Sequence, residues 1–414
     1  MIKYKFLLFL LLSFLEIKAQ YFTDTIFSRI IGNVKFFQEN NQLSYPVIEL
    51  NSGQALELRF DLFSDIPINL QYSFVHCSWD WTEEDLLEHD FLDGYYYNPI
   101  YDYRQSFNTN VSYYNYKIKI PNKDVNFLVS GNYLIKISLT SDPDSVLLQK
   151  RFIIVEKKFN LDSRVKPATN SALRLTHQEI DVSLDIAGND LYDPYANLRL
   201  AIYQNFRADR VAFLYEPKFF QGSNFIYDYD EINVFPGGNE FRTFSIVDYK
   251  FHSGKVFKSE FRDSLYHSFL LPDYVQVAHA SYNDANGNFI IRARNVNDVW
   301  SESDYVMVNF FLLAKKKIPF SGNVYVFGSL SNWKIKPEFK LVYNEQANGY
   351  IGQVLLKQGI YDYKYILVKN GKPDFSAIEG NFYHTENEYL IFVYYQEQAP
   401  YYWRVMAYQK IKYP

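Results

Sequence analysis

The sequence predicts an all-β protein made of tandem antiparallel β-sandwiches, and three observations carry that reading. Tyr (38), Phe (36) and Trp (5) make up 19% of the 414 residues, and aromatic side chains favour strands. Period-two alternation recurs along the whole chain, while helical periodicity is nearly absent. Turn residues interrupt the alternating runs at short intervals, as in short-strand sandwich architectures.

The first segment, MIKYKFLLFLLLSFLEIKAQ, is set apart from the rest. Lys3 and Lys5 form a basic start, and Phe6 to Leu15 is apolar apart from Ser13. That order predicts a secretory signal peptide over residues 1–19, cleaved near Ala19 and Gln20; the apolar run is short for a membrane span. A bacterial lipoprotein needs a cysteine at its mature N-terminus, and the single cysteine is Cys77, so no lipid anchor is expected.

Beyond the leader, Leu56, Leu58, Phe60 and Leu62 alternate with Glu57, Arg59 and Asp61. Tyr116, Ile118 and Ile120 alternate with lysines, Ile180 to Ile186 with Asp181, Ser183 and Asp185, and Tyr361, Tyr363 and Tyr365 flank Asp362 and Lys364. Asn51-Ser52-Gly53, Ser130-Gly131-Asn132, Pro236-Gly237-Gly238-Asn239, Asn286-Gly287 and Asn370-Gly371 supply the turns. One helix is predicted, Thr82 to Phe91, with Thr82 as its cap and acids in its first turn. The lysine pair 157–158 and the polar run to Pro167 mark one boundary, and a second is placed before Trp300. The expected units are therefore 20–157, 158–297 and 298–414.

The composition excludes several kinds of chemistry. One cysteine cannot build a disulfide framework or a multi-cysteine metal site. The formal charge of −5, with scattered basic residues, offers no nucleic-acid footprint. His76 and Cys77 are adjacent, but neighbours on a strand face opposite ways, so they do not form a dyad with each other. The acids Glu83, Glu84, Asp85, Glu88 and Asp90 suit a solvated helix start better than a glycosidase pair. There is no GxSxG, Walker loop or dinucleotide fingerprint. No enzymatic activity and no cofactor are expected.

Binding is the better prospect. Trp79, Trp81, Tyr95, Tyr96 and Tyr97 crowd one segment that runs on to Tyr103, and three consecutive tyrosines cannot all face one core. Tyr401 and Trp403 form a second cluster. Near the C-terminus, VYVFGSLSNW (324–333) and NGYIGQVLLKQGIYDYKYIL (348–367) resemble the starch- and glycogen-binding modules of the early-set immunoglobulin type. The resemblance implies an immunoglobulin-like, early-set sandwich, with Trp333 as a sugar-stacking aromatic and Phe375 where the module usually has a second Trp. An exported glycan-binding protein is the alternative reading it supports. An outer-membrane barrel, a third reading of tyrosine-rich strands, fits poorly with the charges on so many strand faces.

Several segments in one order resemble a single family. They are HCSWDW (76–81), Asp93-Gly94, YRQSFNTNVSYYNYKIKIPN (103–122), SGNYLIKI (130–137), RFIIVE (151–156), NVFPGGNEFR (233–242), ESDYVMVNF (302–310) and EGNFYHTENEYLIFVYY (379–395). Together they are similar to the type IX secretion system plug proteins of Gram-negative bacteria. The resemblance implies a non-enzymatic periplasmic protein, peripherally attached to the outer membrane, that closes the periplasmic mouth of the translocon β-barrel when no substrate passes.

Overall fold

The computed structural model describes residues 22–250, 254–279, 281, 283–314 and 320–413. The expected leader and its cleavage point at Ala19 and Gln20 lie outside them. The described residues are overwhelmingly antiparallel strands, with helical turns of only three or four residues. The all-β class follows from the alternation: Leu56, Leu58, Phe60 and Leu62 are completely buried on one face of their strand.

The first unit packs a six-stranded sheet on a four-stranded one. The larger sheet runs in the order Thr25–Ile26, Asp142–Val155, Gly131–Leu139, Leu70–Cys77 and Asn98–Pro99, with Val47–Glu49 beside the second of these. The smaller runs Ile31–Gln38, Leu56–Leu62, Tyr114–Ile120, Tyr103–Gln105. Aromatic pairs fill the space between them, among them Phe60 stacked on Tyr116 at 5.2 Å and Tyr133 on Phe152 at 5.2 Å. Such offset and edge contacts add to the area they bury.

The second unit places His177–Asp185 and its neighbours against a four-stranded sheet. That sheet is Val211–Leu214, Leu198–Gln204, Glu388–Gln398 and Tyr401–Lys412. Half of it comes from the end of the chain: Ala201 pairs with Phe392 and Tyr203 with Leu390. The third unit lies between, in sequence, as one ten-stranded sheet that starts at Arg242–Ser245. It bends back on itself, since Phe244 and Phe310 meet at 5.6 Å from strands well separated in the sheet order.

The linear division at 297 therefore does not describe the sheets. The third unit is inserted into the second, and residues 388–412 leave the expected C-terminal unit to finish the middle one. Both faces of the Glu388–Gln398 strand are buried: Tyr389, Ile391 and Val393 in the core of the second unit, and Leu390, Phe392 and Tyr394 against the first. Period two reveals a strand but not the sheet it joins. The expected helix also shrinks, to Glu88–Phe91. Trp81 takes φ +70° and turns the chain back, so that Glu83 bridges Cys77. Glu84 is then drawn down onto His76, at 2.6 Å, and the Trp403 backbone N–H, at 2.9 Å. These bonds outcompete a solvated helical turn.

Candidate functional site

Trp79, Trp81 and Trp403 lie between the first and second units. They are buried with Cys77, Leu134, Ile153, Tyr203, Leu390, Phe392 and Tyr394 in one apolar cluster. Trp81 donates its indole N–H to the Tyr203 hydroxyl at 2.8 Å, under the Arg151 guanidinium at 4.5 Å. Trp79 meets Phe213 and Tyr215 edge-on at 5.1 Å each. Tyr394 donates to Asn132 Oδ1 at 3.0 Å, and Arg404 bridges Glu156 and Glu397. The three tryptophans expected to engage a partner pack between two units of the same chain, where the Trp81 indole N–H and the rings of Trp79 and Trp403 are already engaged.

The tyrosines divide differently. Tyr95 is 72% exposed and Tyr101 83%, while Tyr97 and Tyr103 are also exposed and Tyr96 is half-buried against Tyr97. Their segment crosses the open side of the first sandwich. Asn98 pairs with Tyr72 at the edge of one sheet, and Tyr103 pairs with Tyr116 at the edge of the other. Tyr401 is exposed at the far end of the second unit.

Trp333 sits in a turn at φ +55° after Ser329–Ser331, at the third unit's contact with the second. Arg207 of the second unit lies 4.7 Å from its ring centroid, and 5.1 Å from that of Phe375. Phe241 meets Trp333 edge-on at 5.9 Å. The two aromatics that would form a sugar platform are thus engaged by an arginine and a phenylalanine, which disfavours the glycan-binding alternative.

The titratable groups of the expected site segment are structural. His76 points into the first core, edge-on to Tyr133 at 4.9 Å, while Cys77 faces the interface with the second unit. Burial pushes the Cys77 thiol well above its ordinary range, which suppresses the nucleophilic thiolate.

Residues 31–156, the body of the first sandwich, match the family described as type 9 secretion system plug protein 1st domain. A crystal structure of a hypothetical protein from Parabacteroides merdae matches with a TM-score of 0.88 and 30% identity, over 95% of this chain and 100% of that one. The chain belongs to the type IX secretion system plug protein family. No curated protein matches it. Membership assigns a type IX secretion-related role and association with the cell envelope. Among the described residues no helix is long and apolar enough to cross a membrane.

Within this plug-family chain, sequence reasoning missed the contacts between units. Asp61 and Lys357 form a completely buried ion pair at 2.7 Å between the first and third. Tyr305 donates to Asp61 at 2.7 Å, and Lys357 also donates to the Trp300 carbonyl at 2.5 Å. Burial drives the Lys357 ammonium below the lysine range, and the Asp61 charge opposes that fall. Asp61 reads as a solvent-side residue of an alternating strand, and nothing in the sequence pairs it with Lys357, so only the docking of two units reveals the contact.

Proposed function

We propose that this chain is a non-enzymatic plug, or gating subunit, of the type IX protein secretion system. It is periplasmic, attaches peripherally to the outer membrane through the translocon β-barrel, and seals that barrel's periplasmic side when it is idle. The observation that carries this reading is the plug-protein first-domain match over residues 31–156. Two structural features support it. The three sandwiches are joined by buried contacts, including the tryptophan cluster and the Asp61–Lys357 pair, and so present one stiff body. The exposed Tyr95, Tyr97 and Tyr101, with Tyr96 and Tyr103 beside them, offer flat aromatic anchors of the kind that carry interface energy. A few such anchors hold a partner reversibly, as a seal that opens for cargo requires.

Affinity purification of the tagged chain from its native envelope tests the proposal. A translocon-sized outer-membrane β-barrel is expected to co-purify, and its absence would sink the idea. Replacing Tyr95, Tyr97 and Tyr101 together by Ser is expected to weaken that recovery at least tenfold with an unchanged melting temperature, because these side chains are exposed. Deleting the protein is expected to admit large antibiotics only while the translocon is present.

A further inference from the structure

A cavity of about 410 Å³ lies between the second and third units. Its walls come from the turn after the Leu198–Gln204 strand, from Pro236 to Gly238 where the chain enters the third unit, and from residues 373–387 where it returns. Three cations reach it: Arg207, Arg210 and Lys364. Arg207 is paired with Asp209 at 2.6 Å. Arg210 and Lys364 have neither an ion pair nor a side-chain hydrogen bond among the described residues. Each rests on an aromatic ring: the Arg210 guanidinium 4.7 Å from Phe375, and the Lys364 ammonium 3.7 Å from Phe241.

Burial holds both cations below their ordinary range, Lys364 at about 8. The acids around Lys364 are committed elsewhere. Glu379 is clamped by Arg242, Asp284 accepts from the Phe241 and Asn286 backbone, and Glu240 accepts from the Glu386 backbone and meets His279. Asp374, in the cavity wall, is held by Ser376 and Ala377. The charges of Asp284, Glu379 and Glu240 reach Lys364, and that of Asp209 reaches Arg210, but none of them contacts either cation. Two partly buried cations lacking a hydrogen-bonded partner bear a cost that a bound anion removes.

We infer that this cavity is a binding site for a carboxylate attached to an apolar body, with Arg210 and Lys364 holding the carboxylate and Phe241 and Phe375 flanking the body. A guanidinium seated on a ring presents its N–H fork edge-on, which matches the two oxygens of a carboxylate. A monoanion suits the site better than phosphate, since Asp374, Asp284 and Glu240 would repel a second negative charge. The volume falls in the range of small-molecule sites and exceeds what an inorganic ion fills. The carboxylate has two sources with the same chemistry, a free organic acid or the C-terminal end of a peptide. The assignment does not depend on the plug reading.

Calorimetric titration of the full chain with 3-phenylpropanoate, acetyl-Ala-Phe and acetyl-Ala-Phe amide tests it. At least one acid is expected to bind saturably at a single site and raise the melting temperature, while the amide does not bind. The tighter acid identifies the source. R210Q and K364Q are each expected to weaken binding at least tenfold. Without a probe, K364Q is expected to melt no lower than the unchanged chain, because burial disfavours the Lys364 charge more than the acids near it favour it. The inference is overturned if neither acid saturates, if the amide or inorganic phosphate binds as well as the acids, if both variants bind normally, or if K364Q melts lower.

Discussion

Asp362 illustrates how one residue sets the pH response. It lies within the alternating tyrosines of the Gly359–Lys369 strand, where its carboxylate accepts from Thr243 and the Ala285 backbone. Burial, reinforced by the neighbouring Asp284, lifts it from 3.8 to about 7. The folded chain therefore keeps a proton there that the unfolded chain loses, and stability falls as pH rises from about 4 to about 7. D362N is expected to flatten part of that decline and to stabilise the protein at pH 8 by roughly 1–3 kcal/mol. Melting temperature followed from pH 4 to 8 measures it, and an unaltered slope would refute the assignment. Glu240, also lifted to about 7, keeps some slope in the variant. At this scale the sequence was legible on one side only. The apolar members of each alternating run identified the cores, whereas Asp61 and Asp362 looked like surface residues. Asp61 is buried by the docking of the third unit and Asp362 is held by Thr243 and the Ala285 and Gly287 backbone, long-range contacts that leave no periodicity.

Among elements, the Leu56–Leu62 strand and the Gly349–Lys357 strand are coupled through Asp61 and Lys357. K357M leaves the Asp61 charge buried without its cation and is expected to cost about 3–5 kcal/mol. Replacing both, as D61N with K357M, is expected to recover most of that loss, since the burden lies in the orphaned charge. Denaturant midpoints for the two single and the double variants decide it; additive losses would mean the two residues act independently. Strand positions were readable because each core face repeats at period two. The Thr82 helix was misread because Glu84 finds better partners in His76 and Trp403, residues that local propensity does not see. The tryptophans of HCSWDW and the Tyr401 to Trp403 segment stood out for their aromatic density, and the structure joins Trp79 to Trp403 at 5.9 Å. Their proximity to each other was the part that the linear pattern withheld.

For the molecule as a whole, the insertion of the third unit into the second is the feature that the sequence concealed. Both crossings lie close together, near residues 236–241 and 378–387, and Asn387 hydrogen-bonds Gln178, Asn205 and the Gly237 carbonyl there. Deleting residues 388–414 is expected to strip hydrogen-exchange protection from His177–Asp185 and Leu198–Gln204, while Tyr305–Leu313 and Gly359–Lys369 keep theirs. Uniform loss across all four strands would show that the third unit depends on the second. The same insertion sets a timetable. During synthesis Ala201 waits for Phe392, so the middle sandwich stays open until the inserted third unit has emerged, and so does the seat of Trp79 and Trp81 against it. A chain with this layout keeps its middle sandwich unfinished until the whole inserted unit has been made.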